Sequence, residues 1–164
     1  MKIRNIHERM IAATPEQIAP LLADFERIWP TQIAPAPRAQ GERLYKTSMM
    51  LWQEYDRRGA TRAFRVLDPP ELRGEHWFEL ERVGAGTLVR HTVQGEAFGD
   101  YEAIWRDRIE PAHDTILEAI LDNIETAFAP TASSPRSSIS SPKRREPIGM
   151  LRELPDEPSR GSQG

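Results

Sequence analysis

Apolar residues recur along this chain with two different periods, and the changes between them mark its elements. The segment from Ile3 to Ile11 mixes apolar and polar residues, with Ile6 and Met10 spaced as on one strand face. Ile18, Leu21, Leu22 and Phe25 then follow at three- and four-residue spacing, which predicts a helix from Pro15 to about Phe25 with one apolar stripe. Thr14 is placed as its N-cap, Pro15 as its first residue and Glu16-Gln17 in its first turn. Trp29-Pro30 closes a second short helix or turn.

Pro30, Pro35, Pro37 and Gly41 restrict any strand between residues 30 and 42 to a sheet edge. Four strand-like runs follow: Ser48 to Tyr55, Ala60 to Leu67, Glu71 to Val83 and Thr87 to Phe98. Turn signals separate them: Asp56-Arg57-Arg58-Gly59, Asp68-Pro69-Pro70 and Gly84-Ala85-Gly86, with Gly99-Asp100 after the last. Connections this short predict an antiparallel meander. The period then returns to helical: Tyr101, Ile104, Trp105, Ile109, Ala112, Ile116, Leu117, Ile120, Ile124 and Ala127 form one long stripe. Pro111 lies inside it while the register continues, so a kink near Arg108-Ile109 is expected rather than two helices.

Composition changes this picture at one end. Six of the 14 prolines and eight serines fall in residues 130–164, a low-complexity stretch expected to be a disordered tail behind a single domain of residues 1–129. Ile148 to Leu154, or the pairs Ser134-Pro135 and Ser141-Pro142, offer a docking or phosphorylation reading of that tail. The net charge of −3 divides into −5 for residues 1–129 and +2 for the tail, so the domain is a poor partner for nucleic acid. No apolar run is long enough to span a bilayer and no signal peptide is readable, so a soluble cytoplasmic protein is expected, as monomer or homodimer. With no cysteine, disulfides, thiolate metal sites and a cysteine nucleophile are excluded.

The order strand, two helices, antiparallel strands and long final helix resembles the START-like superfamily, also called SRPBCC or Bet v 1-like. Three stretches carry the resemblance: Ile11-Ala12-Ala13-Thr14-Pro15-Glu16-Gln17-Ile18, Gly84-Ala85-Gly86-Thr87-Leu88-Val89-Arg90-His91, and Trp105-Arg106-Asp107-Arg108-Ile109-Glu110-Pro111-Ala112-His113-Asp114. They look like the polyketide cyclase/dehydrase-like branch and cover residues 1 to about 128. The resemblance implies an α+β helix-grip fold, a curved antiparallel sheet wrapped around the C-terminal helix. It also implies a cavity between them for a hydrophobic or aromatic small molecule. Lipid carriers, cyclases, receptors and co-chaperones share this fold, so activity does not follow from it.

Strand alternation identifies candidate residues. Leu72, Gly74, His76, Phe78 and Leu80 share one face, and Val89, His91, Val93 and Ala97 share another; both are expected to face the interior. A connection over Val83–Gly86 pairs Arg82 with Thr87, and hence Phe78 with His91 and His76 with Val93. His76 and His91 then become diagonal neighbours, either as a catalytic acid/base pair or as neutral core histidines. Trp52, Phe64, Phe78, Tyr101, Trp105 and Ile109 are the candidate ligand-binding residues. Either Met50-Trp52-Glu54 or Met49-Leu51-Gln53 faces inward, Arg62 is expected to meet Glu54 across a hairpin, and a tryptophan at Gly95 is expected to plug the cavity without loss of fold. No cofactor and no metal are expected. His7, Glu8 or His113 could contribute a ligand, but none has ligand spacing, and His113 is read as a capped or solvated helix residue. A small-molecule binder, a metal-independent cyclase or dehydratase, and an interaction module acting through the tail all remain open.

Overall fold

In the computed structural model, which describes residues 1–129, seven antiparallel strands form one sheet in the order β1-β7-β6-β5-β4-β3-β2. The strands are β1 (Lys2–Ile11), β2 (Arg38–Gly41), β3 (Leu44–Lys46), β4 (Leu51–Tyr55), β5 (Arg62–Asp68), β6 (Leu72–Val83) and β7 (Gly86–Ala97). Helices α1 (Pro15–Ala23) and α2 (Phe25–Ile28) follow β1. The C-terminal helix runs through α3 (Tyr101–Ile104), a π-helical segment (Trp105–Ile109) and α4 (Glu110–Phe128). Readings of residues 130–164 lie outside the described residues. Among the described residues no helix is long and apolar enough to cross a membrane.

Local chemistry sets these boundaries. The Thr14 backbone N–H donates to Gln17 Oε1 at 2.8 Å, and Pro15, which has no N–H to satisfy, occupies the first helical position of α1. In the hairpin joining β6 to β7, Gly84 takes a φ of 58°, a left-handed conformation that glycine adopts without strain. The register across it pairs Arg82 with Thr87, Phe78 with His91 and His76 with Val93, as the loop length requires. Pro111 cannot donate to the preceding turn, and the helix answers with the π-helical segment just before it, where the Glu110 N–H bonds Trp105 O.

Two expectations are corrected. Strand β3 is unpredicted, because three residues are too few for a period to show. The run from Ser48 begins as strand only at Leu51, since Thr47 Oγ1 accepts from the Met49 and Met50 N–H groups and folds residues 47–50 into a turn. On β1, Ile6 and Met10 share one strand face as expected; it points outward, leaving them 43% and 49% exposed, whereas Ile3 and Ile11 are buried. The inward face of this strand is chosen by α4: Asn5 bonds Asp114, and Arg9 bonds Glu118, Asp122 and Glu125.

The apolar interior separates into two clusters. Ile11, Ile18, Leu22, Ile28, Phe78, Val89, Leu121 and Ile124 form the larger, under α1, α2 and the end of α4. Ile3, Leu72, Ala97, Trp105 and Ile109 form the smaller, under the start of the C-terminal helix. Thr87, fully buried where β7 begins beside the end of β1, donates its hydroxyl to Ala13 O at 2.6 Å. Thr87→Val, which keeps the shape but strands the carbonyl, is expected to cost about 1–2 kcal/mol in urea unfolding; a change near zero would mean the carbonyl finds another partner.

Candidate functional site

Between the two clusters lies a cavity of about 670 Å³, bounded by the inward face of the sheet and by the C-terminal helix. Trp52, Val66, His76, Phe78, His91 and Val93 line it from β4 to β7, and Trp105, Ile109, Ala112, His113 and Ile116 line it from the helix. Where Arg38, Gln40, Lys46 and Met49 join the lining, the residues are exposed, and there the cavity opens to solvent. Trp52 and Glu54 therefore supply the inward face of β4, and Met50, in the turn before it, lines the cavity beside them.

Six of the eight candidate residues converge on this space: His76, His91, Trp52, Phe78, Trp105 and Ile109. Phe64 and Tyr101 are not on its wall. Phe64 is fully buried one layer behind, its ring stacked on His76 at 4.9 Å, and Tyr101 packs against the smaller cluster. The floor is bare backbone where Gly74 pairs with Gly95. A Cβ at Gly95 would lie 2.3 Å from Arg73 O, so a tryptophan there would force the strands apart before it filled any space. Gly95 is no site for a cavity plug.

His76 Nδ1 and His91 Nε2 are 3.2 Å apart, so one imidazole donates and the other accepts. The line continues: His91 is 5.2 Å from His113 and His113 is 5.8 Å from His7, ring centre to ring centre, so all four histidines of the chain run in file from the cavity to the flank of β1. The expectation that His113 is capped or solvated fails, because the packing of β1 on α4 encloses it. Burial, then the charges of His113 and Arg62, push the His76 imidazole down to about 3. Burial followed by His113, His76 and His7 drives His91 well below its ordinary range, and burial followed by His7 takes His113 to about 4. All three are neutral at neutral pH. His76 Nε2, His91 Nδ1 and Trp52 Nε1 are buried without a hydrogen-bond partner.

No protein-family model matches the sequence, and no curated protein matches it. Solved structures do match its fold. A START superfamily protein from Mycobacterium smegmatis superposes with a TM-score of 0.50 at 14% identity, covering 76% of this chain and 95% of that one. This is the helix-grip fold. The ZhuI aromatase/cyclase from Streptomyces sp. R1128 shares it, with a TM-score of 0.52 at 15% identity over 82% of this chain and all of that one. So does Ara h 8.0201, with a TM-score of 0.52 at 15% identity over 77% and 99% of the two chains. In this fold the cavity occupies the space that the sheet and its gripped helix enclose.

Proposed function

We propose that the START-like domain of residues 1–129 binds one apolar or aromatic small molecule carrying an oxygen acceptor, such as a phenol or a ketone. The observation that carries this reading is the pairing of an apolar cavity with two unused polar atoms, Trp52 Nε1 and His76 Nε2, on residues that line it. Its volume lies within the ~300–1,000 Å³ of small-molecule sites. An indole N–H can only donate, and a neutral His76 whose Nδ1 accepts from His91 presents Nε2–H as a second donor. Leaving buried donors unpaired costs about 1–3 kcal/mol each, which a ligand oxygen would return.

A cyclase or dehydratase using His76 and His91 as acid and base has less support. General acid–base catalysis works best with a group that titrates near the working pH, and burial moves both imidazoles far below it. The histidine pair fits better as a neutral orienting group.

Calorimetric titration of the full chain with 2-naphthol and with naphthalene tests the reading. One-to-one binding of both is expected, with the naphthol about tenfold tighter, one hydrogen bond's worth. His76→Phe should erase that preference, and Ala112→Phe should weaken both ligands about tenfold or more by occupying the cavity. Equal affinities in the parent protein would remove the orienting role, and no binding of either would remove the reading itself.

A further inference from the structure

We propose that His7, His113 and Asp114 form a binding site for a divalent transition metal, tying β1 to α4 beside the cavity. One ligand atom from each residue lies within 4.8 Å of the other two. Asp114 Oδ1 is 3.0 Å from His7 Nε2 and 3.6 Å from His113 Nδ1. Two ligands about 2.0–2.1 Å from a tetrahedral zinc ion stand roughly 3.3 Å apart, so these spacings bracket what a metal needs.

Two further observations point to a cation. His113 Nδ1 is buried without a hydrogen-bond partner, and 3.6 Å is too long for a bond to the aspartate beside it. His7 stands between two carboxylates, with Nδ1 2.7 Å from Glu118 Oε1 and Nε2 3.0 Å from Asp114 Oδ1. A neutral imidazole has one N–H for these two acceptors. If Nδ1–H donates to Glu118, the Nε2 lone pair faces an oxygen lone pair, and a cation between them turns that repulsion into coordination.

The surroundings match a ligand set with its support. Glu118 fixes the His7 tautomer from behind, as carboxylates do for metal-bound histidines, and the Asn5 side-chain amide donates to Asp114 Oδ1 at 2.8 Å. Arg9, two residues from His7 on β1, is occupied by Glu118, Asp122 and Glu125. Two imidazoles and one carboxylate suit zinc, iron(II) or cobalt(II) and leave a fourth position for water.

The test uses the full chain, stripped with chelator and titrated with Co²⁺. Visible d–d absorption saturating at one equivalent and abolished by Zn²⁺ is expected, together with a zinc-dependent rise in Tm. His7→Gln and His113→Phe should each weaken binding about 100-fold or more, and Glu118→Gln about 10–100-fold. Imidazole nitrogen shifts of the unmutated protein provide a readout independent of variant folding, with His7 Nε2 and His113 Nδ1 moving on addition of Zn²⁺. No uptake, uptake indifferent to His7→Gln, or a doubly protonated His7 whose shifts ignore zinc would overturn the proposal. The last would make His7 an imidazolium bridging two carboxylates.

Discussion

Arg62→Met is expected to lower the free energy of unfolding by about 3–5 kcal/mol, the range for removing one partner of a buried ion pair. Arg62 sits on β5 with its side chain 7% exposed, and Glu54 on β4 receives it at both carboxylate oxygens, each at 3.1 Å. Tyr45 from β3 closes the group, accepting from Arg62 at 3.0 Å and donating to Glu54 at 3.1 Å. The guanidinium also donates to Leu22 O at 2.9 Å, one of the carbonyls the C-terminus of α1 leaves unpaired, and lies 4.1 Å over the Phe25 ring. One side chain therefore fastens α1 and α2 to three strands. Its loss strands Glu54, Tyr45 and a helix terminus together. Removing both charges, as Glu54→Leu with Arg62→Met, should recover part of the loss, because an apolar pair has no desolvation to offset. Urea unfolding of the four proteins checks this; an Arg62→Met cost below about 1 kcal/mol would mean the pair behaves as an exposed one.

Acid is expected to destabilise the fold well before its carboxylates titrate. His76, His91 and His113 are held neutral, chiefly by burial, with His76 down to about 3 and His113 to about 4. The titratable and charged groups facing them are His7 on β1, Arg62 on β5 and Asp114 on α4; the Arg62 charge and any proton on His7 oppose protonation, and Asp114 favours it at His113. In the unfolded chain these histidines take up protons near pH 6.5. Below that pH the unfolded state binds more protons than the folded one, so stability falls as the pH falls, from about 6.5 down to about 4, and is level above. Each group contributes up to roughly 1.4 kcal/mol per pH unit, so for each unit that the pH falls the three together cost up to about 4 kcal/mol, comparable with the loss of Arg62. Glu16, Asp56 and Glu118, whose carboxyls are held low by hydrogen bonds, lose their contribution only below the ordinary carboxylate range, a separate and more acidic window. Unfolding midpoints measured in chelator from pH 8 to 4 should slope downward, with the slope reduced by about one proton in His76→Phe. A flat profile from pH 7 to 5 would show that the interior admits water or charge to these rings.

The path to this site through the sequence is uneven, for physical reasons. Alternation and one loop length were enough to place His76 beside His91, because a hairpin converts sequence distance into register without outside help. The same logic brought Arg62 to Glu54 across the β4–β5 hairpin, diagonally from the Glu54–Phe64 pair. Phe64 and Tyr101 show its limit: alternation says which side of the sheet a residue faces, but whether it touches a cavity or packs behind one depends on neighbours of every size. His7 and His113 were beyond it altogether. They stand 106 positions apart, and only the packing of β1 on α4 makes them neighbours. Ile6 and Met10 do share a face of β1, but it is the outward one, since the inward positions include Asn5, His7 and Arg9, which bond the acidic flank of α4.

The strand order has a consequence in time. β1 is the first strand to be synthesised, and its sheet partner β7 begins at Gly86. At about 5–20 residues per second, a ribosome needs on the order of 4–15 s to add the residues between them. For that interval β1 has both edges unpaired and carries Ile6 and Met10 uncovered on one face, while the hairpins from β2 to β6 can already close on their neighbours. The nascent domain therefore waits with a bare, partly apolar strand, open to a chaperone or to a second nascent chain.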